Sequence, residues 1–250
     1  MKKINFLVAV LIGVTGYFIH KQWDTNSLAP TDFEEILMVG TCDDYPPYSF
    51  NRDGKIVGFD IDVITEVSKR MARPLMLKNM SFDILLLELQ RGTIHVVAAG
   101  LTATKERAEK VLFTKPYLQA DPLITVTLNG VVAQPLKGKK LIVNEGYTAD
   151  QHLSAQPNLS IERVESVPQA LLSLSQGKAD VFVIAKSAFK PVLENKKNAA
   201  FTTAILEGVQ ENCALAVSKK HVQIFEKIEA ALQELTEDGT IDDLKQKWGL

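Results

Sequence analysis

Residues 100–107 combine the groups that proteins use to bind a carboxylate. The segment reads Gly-Leu-Thr-Ala-Thr-Lys-Glu-Arg and offers backbone N–H groups, the Thr102 hydroxyl and the Arg107 guanidinium. Thr104 can cap a short helix that carries Arg107 one turn in. An arginine holds a carboxylate through two parallel hydrogen bonds, and a helix amino terminus adds aligned donors. The motif is common, and a surface ion pair of Arg107 with Glu109 is the alternative.

A second cluster, at 144–148, reads Asn-Glu-Gly-Tyr-Thr and follows another predicted strand. Gly146 allows close approach of the backbone, and Thr148 begins a predicted helix. We expect this helix start, with Glu145 beside it, to add ligand-binding groups from the opposite side of a cleft.

Two aromatic residues, Tyr45 and Phe82, follow strands in the first half of the chain. Flat apolar rings at those places would sandwich an aliphatic or cationic side chain. For any single aromatic residue, packing in the core is the alternative.

The common catalytic and cofactor motifs are absent from the sequence. It contains no Gly-x-Ser-x-Gly, no phosphate-loop lysine, no His-Glu-x-x-His and no Cys-x-x-Cys. The four histidines are scattered, and we interpret His95 as a structural residue of a buried strand. We therefore expect no catalytic residues, no metal and no cofactor.

Strand-like and helix-like segments alternate along the chain, which predicts parallel sheets covered by helices. Strands are predicted over 36–40, 75–77, 96–100, 124–128, 140–144, 160–164, 180–184 and 213–217. Helices are predicted over 60–71, 82–90, 104–110, 148–153, 168–174, 187–195, 222–235 and 241–248. No linker separates the two α/β units, so we expect two lobes joined by extended crossings. Ligands in such folds bind between lobes and at the carboxyl ends of strands.

Composition and charge describe a globular, exported protein. Of 250 residues, 46% are apolar and 23% charged, and the net charge of −2 gives no basic excess for nucleic acid. Residues 1–22 hold three lysines and no acid around an apolar run at 4–19, a layout typical of a secretory signal. An uncleaved membrane anchor and a buried amino-terminal helix are the alternatives. Residues 23–34 are interpreted as a spacer.

The two cysteines, Cys42 and Cys213, have no local partner. An oxidising compartment would permit a disulfide, but we expect two small buried apolar residues.

Several segments in this order resemble the polar amino-acid family of periplasmic solute-binding proteins that feed ABC importers, and most of all its arginine-binding members. They are 45–50, 53–62, 100–107 and the ending 236–248. The resemblance implies a type II clamshell with one lobe made of 35–119 and 212–250 and another of 120–211. It also implies a monomer that captures a free amino acid and delivers it to the membrane subunits of an ABC transporter.

The resemblance assigns roles to the residues already singled out. Arg107 and the backbone at Thr102 take the α-carboxylate, helped by Thr148, and the Gly100 carbonyl accepts from the amino group. Tyr45 and Phe82 flank the side chain, while Glu145 and Gly146 complete the site on the second lobe.

One position departs from the family pattern. Where the family carries an acid for the ligand's ammonium group, this chain has Ala185. Glu145 is the nearest replacement, with Asp43 or Asp44 as others. Two further functions stay open: a cyclohexadienyl dehydratase, which needs a positioned general acid, and a ligand-sensing domain anchored by the apolar segment.

Overall fold

The computed structural model describes residues 36–128, 130, 135–194 and 200–250. The predicted export segment and spacer lie outside the described residues. Leu37–Leu250 forms one unit by itself.

Thirteen strands occur in the described chain. They are β1 (Leu37–Thr41), β2 (Asp44–Tyr45), β3 (Ser49–Arg52), β4 (Lys55–Val57), β5 (Leu75–Asn79), β6 (Val96–Val97), β7 (Leu112–Phe113), β8 (Leu118–Leu128), β9 (Lys140–Asn144), β10 (Ser160–Val164), β11 (Val181–Ala185), β12 (Phe201–Cys213) and β13 (Ala216–Val217).

Eight helices occur in the same described part. They are α1 (Phe59–Arg70), α2 (Phe82–Arg91), α3 (Lys105–Lys110), α4 (Thr148–Ser154), α5 (Val167–Ser175), α6 (Lys186–Glu194), α7 (Val222–Glu237) and α8 (Thr240–Trp248).

The strands build two five-stranded sheets of equivalent order, one for each lobe. The first runs β5-β1-β6-β13-β7 and the second β10-β9-β11-β8-β12, and a three-stranded sheet β2-β3-β4 joins the first lobe. In each large sheet the first two pairings are parallel and the last two antiparallel. Four strands of each sheet therefore run in the same direction, and one, β13 in the first sheet and β8 in the second, runs against them, which confirms the expected mainly parallel α/β sheets.

Two strands, β8 and β12, form the crossings between the lobes. They pair antiparallel along most of their length, with Glu211 opposite Asp121 and Cys213 opposite Leu118. At the first-lobe end the Tyr117 amide donates to the Cys213 carbonyl, and Thr102 forms a bridge with Cys213. Residues that lie opposite each other on this ribbon are therefore between 73 (Phe201 and Leu128) and 95 (Cys213 and Leu118) positions apart in the sequence.

Local signals place most elements correctly. Gly92 ends α2 in the left-handed conformation, and Thr104 caps α3 by accepting from the Arg107 amide. Gly58 is the capping residue of α1, and Asp60 in its first turn accepts from the Gly100 amide at 2.7 Å through its carboxylate.

The small sheet β2-β3-β4, strand β7 and most of β12 are not among the strands predicted from the sequence. Their two- to four-residue strands, apart from β12, are too short for alternation to be recognised. In β12, residues 201–205 and 207–210 are mostly exposed, so no apolar pattern marks them.

Candidate functional site

Arg107 lies buried where the two lobes meet. Its side chain is 2% exposed, and its Nη atoms donate to the carbonyls of Thr102, at 2.8 Å, and of Gly146 on the second lobe, at 2.7 Å. Burial lowers the pKa of Arg107 to about 10, which leaves the guanidinium charged at neutral pH. The alternative of a surface ion pair with Glu109 is therefore wrong, because the helix α3 turns Arg107 inward.

Three aromatic rings surround the same place. Phe82 and Tyr147 stack with ring centroids 4.1 Å apart, and Tyr147 meets Tyr45 edge-on at 4.7 Å. The Phe82 ring also lies 5.6 Å from the Arg107 guanidinium carbon. Tyr45 and Phe82 come from the first lobe and Tyr147 from the second, so the rings form a contact across the cleft.

Glu211, on crossing strand β12, is a buried acid that contacts the aromatic residue Tyr45. It is 2% exposed, and the Tyr45 hydroxyl donates to its Oε2 at 3.2 Å. Burial, and next the charge of Asp121, raise the pKa of Glu211 to about 7, while Thr148 and Arg107 act to lower it. The carboxyl group therefore changes its protonation state near neutral pH.

Asp121, on the partner crossing strand β8, joins both lobes through hydrogen bonds. Its Oδ2 accepts from the Tyr48 hydroxyl at 2.8 Å and from the Ser187 hydroxyl at 2.5 Å, and its Oδ1 accepts from the Ser187 amide at 3.2 Å. Tyr48 belongs to the first lobe, and Ser187 lies in the first turn of α6 in the second.

The predicted glycine and threonine positions lie around these groups. Gly100 has a φ of +63°, and an added Cβ would lie 2.9 Å from the Tyr45 ring, so only glycine fits. The Thr102 hydroxyl accepts from the Asn212 amide at 3.2 Å. The Gly146 amide donates to Asp150 at 3.0 Å, and Thr148 is buried at the start of α4.

An open cavity of about 440 Å³ lies between the lobes next to the aromatic rings. Phe82 and Tyr147 line it, together with loops that follow strands in both lobes. Its five charged lining residues are all acids: Asp43, Asp44, Asp83, Glu145 and Glu165. A cavity of this charge favours a cationic ligand group.

The structure brings seven of the eight predicted site residues together around Arg107 and the aromatic rings: Tyr45, Phe82, Gly100, Thr102, Arg107, Gly146 and Thr148. Glu145 stands apart from that centre, on the cavity lining, and is exposed. Their roles toward a ligand stay predictions.

Four residues of this site were not among the site residues predicted from the sequence: Glu211, Asp121, Tyr147 and Ser187. An acid within a strand-like segment was the available signal for Asp121, which stands between Ala120 and Pro122 ahead of an apolar run. Ala185 is 1% exposed at the end of β11 and supplies no charge. Cys42 and Cys213 are free and buried, which confirms the expectation of two small buried side chains.

This fold and this site define a class: a two-lobed protein that encloses a small polar molecule between its lobes. The chain belongs to the bacterial extracellular solute-binding proteins of family 3, whose model matches residues 37–250.

Relatives within the family are named as amino-acid-binding proteins. A probable arginine-binding protein of an ABC transporter from Chlamydia trachomatis is 30% identical over 99% of this chain and 96% of its own length. A probable histidine-binding protein from Campylobacter jejuni is 31% identical over the whole of both chains. Among solved structures, an ancestral arginine-binding protein bound to arginine is 32% identical, with a TM-score of 0.79 over 86% of this chain and 98% of that one.

These similarities show a binding protein of amino-acid ABC transport and not an enzyme, so the dehydratase alternative is not favoured. Within the described ranges, no three or more His, Cys, Asp or Glu side chains are grouped to hold a metal ion. No helix in the described part of the chain is long and apolar enough to span a bilayer.

Proposed function

We propose that the protein captures a cationic amino acid of the arginine type between its lobes and delivers it to the membrane subunits of an ABC transporter. The observation that carries this proposal is the position of the buried Arg107 guanidinium next to Phe82, a ring that lines a cavity whose five charged lining residues are all acids. A guanidinium attracts the ligand's carboxylate, and the acids attract a cationic side chain.

Different residues would bind different parts of the ligand. Arg107, the Thr102 backbone and the start of α4 at Thr148 hold the α-carboxylate. Phe82 and Tyr147 separate to admit the side chain and then stack on it, because both rings already line the cavity and face each other.

The lobe boundaries proposed here are 35–119 with 212–250 for the first lobe and 120–211 for the second. The pairing of Glu211 with Asp121 supports a boundary within the ribbon of β8 and β12. We also propose that the protein works as a monomer outside the cytoplasm, in the periplasm, and that residues 1–22 are an export signal that is either removed or kept as an anchor.

Isothermal titration calorimetry on the full chain, freed of copurified ligand by unfolding and refolding, tests the proposal. The series contains the twenty amino acids with ornithine and citrulline. Arginine and citrulline form the decisive pair, since they have nearly the same shape and differ in side-chain charge. Tight binding of arginine, lysine or ornithine with at least tenfold weaker binding of citrulline supports a cationic ligand. Absence of heat across the series, or equal affinity for arginine and citrulline, contradicts it.

A further inference from the structure

Two buried carboxylates stand side by side on the crossing strands. Glu211 and Asp121 are directly opposite in the β8–β12 pair, and they are 2% and 8% exposed. Like charges opposite each other in an antiparallel pair destabilise it, and burial makes each charge more costly. An arrangement of this kind requires positive charge nearby.

The structure supplies only part of that charge. Glu211 receives a hydrogen bond from the neutral hydroxyl of Tyr45, and Arg107 is the cation whose charge acts on it. Asp121 accepts from Tyr48 and Ser187, which are also neutral. The Nη atoms of Arg107 donate to carbonyl oxygens and not to either acid.

We infer that Glu211, supported by Asp121, accepts the α-ammonium group of the bound amino acid, so that the crossing strands supply the negative charge of the site. The inference rests on the proposed function. An α-amino acid carries its ammonium and carboxylate on one carbon, so the ammonium acceptor must lie beside the carboxylate-binding groups. Glu211 meets this condition because the next residue, Asn212, donates to Thr102, whose carbonyl accepts from Arg107.

The other acids near the cleft do not fit this position as well. Glu145 and Asp44 are exposed on the lining of the cavity, where they suit the cationic end of the side chain. The end of β11 carries Ala185, so the second lobe itself provides no acid there.

Binding of two ligands to matched variants tests the inference. The ligands are L-arginine and 5-guanidinopentanoate, which lacks the α-ammonium group but keeps the carboxylate and guanidinium. The variants are Glu211→Gln, Asp121→Asn, Glu145→Gln and, as a distant control, Glu226→Gln on the exposed face of α7. The quantity compared is the ratio of the two dissociation constants, which cancels general effects on folding or closure.

In the unmodified protein we expect arginine to bind at least about 30-fold more tightly than 5-guanidinopentanoate, as for a buried charge pair. Glu211→Gln should reduce this ratio to less than about threefold, and Asp121→Asn should reduce it by a smaller factor. Glu145→Gln should weaken both ligands alike and keep the ratio, as should Glu226→Gln.

A ratio unchanged by Glu211→Gln, or lost in Glu145→Gln instead, overturns the inference while the proposed function stands. Absence of arginine, lysine and ornithine binding in the unmodified protein overturns both. Should lysine or ornithine bind more tightly than arginine, the same ratio is measured with 6-aminohexanoate or 5-aminopentanoate.

Discussion

The ends of β6 and β11 occupy the same place in the two lobes but contribute different chemistry. Each is the middle strand of a five-stranded sheet with the same order of neighbours. After β6 the chain forms a loop through Gly100 and Thr102 before the capped helix with Arg107. After β11 the helix α6 begins at once, and its Ser187 turns to Asp121 on the crossing strand.

This difference shows that the order of the strands in a sheet fixes where the site lies but not which charged residues line it. In the first lobe the cation is Arg107, in the short helix that follows the end of β6. The second lobe ends its equivalent strand in Ala185, and the acids lie on the crossings, at Asp121 and Glu211. Because the crossings connect the two sheets, an acid on them can contact both lobes, as Asp121 does through Tyr48 and Ser187.

The largest effect is expected from Arg107→Ala, which removes the contribution of the β6 end. We expect arginine affinity to fall by at least about 100-fold, because truncation of a buried, hydrogen-bonded charge costs about 2–5 kcal/mol of binding free energy. Calorimetry measures the loss. The buried side chain also makes two hydrogen bonds to backbone carbonyls, so some loss of stability is expected as well.

Arg107→Lys separates the two consequences. Lysine keeps the charge but cannot donate two parallel hydrogen bonds, so it should recover stability better than affinity. Affinity within about threefold of the unmodified protein in either variant would contradict the carboxylate role of Arg107.

The second prediction concerns the pH dependence of arginine binding, which tests the crossing strands. Burial and Asp121 hold the pKa of Glu211 at about 7 in the ligand-free protein. An ammonium ligand requires the ionised carboxylate, so affinity should fall by up to about tenfold per pH unit as the pH drops below 7. Calorimetry between pH 5.5 and 8.5 measures this. The charged and polar groups that face Glu211 are Asp121, Arg107, Tyr45 and Thr148.

The control is again 5-guanidinopentanoate. Without an α-ammonium group it should show no such fall on acidification, and Glu211→Gln should remove the fall for arginine. A flat profile for arginine in the unmodified protein, or the same fall with both ligands, would argue against Glu211 as the titrating acceptor.

The part of the site that sequence could predict is the part built by local signals. Thr104 caps α3 three residues before Arg107, and a strand, a glycine and a helix start follow one another around Gly146, so spacing along the chain sufficed. Glu211 and Asp121 become neighbours only through the register of β8 with β12, a pairing across about ninety residues. No local pattern encodes that register, and the mostly exposed β12 lacks the apolar alternation that would reveal it as a strand.

The third prediction is that Glu211→Gln stabilises the ligand-free protein at pH 8. An acid whose folded pKa is raised binds its proton more tightly in the folded state, so ionisation costs stability as pH rises from about 4.5 to about 7. Glutamine removes that charge and can still accept from Tyr45. We expect the Tm at pH 8 to rise by a few degrees, about 2–4 °C per kcal/mol for a domain of this size.

Thermal unfolding followed by circular dichroism at pH 8 and pH 5 checks the sign. The gain should shrink at pH 5, where the Glu211 carboxyl is already protonated. A lower Tm for Glu211→Gln at pH 8 would mean that the protein itself stabilises the ionised carboxylate without a ligand. It would contradict the interpretation of Glu211 on the crossing strand as an acid that requires the ligand's positive charge.

The smallest effect is expected from Lys190→Met, on the helix that begins at the end of β11. Lys190 Nζ donates to the Gly249 carbonyl at 2.8 Å and so connects α6 of the second lobe to the residue that follows α8 in the first. The contact is exposed, so its loss should weaken arginine binding only about two- to fivefold, within the range of surface interactions. Because the contact joins the two lobes, its loss should appear as faster dissociation in stopped-flow measurements. Lys178→Met, an exposed lysine of the same lobe, is the matched control, and equal effects of both variants would show that net charge and not closure is responsible.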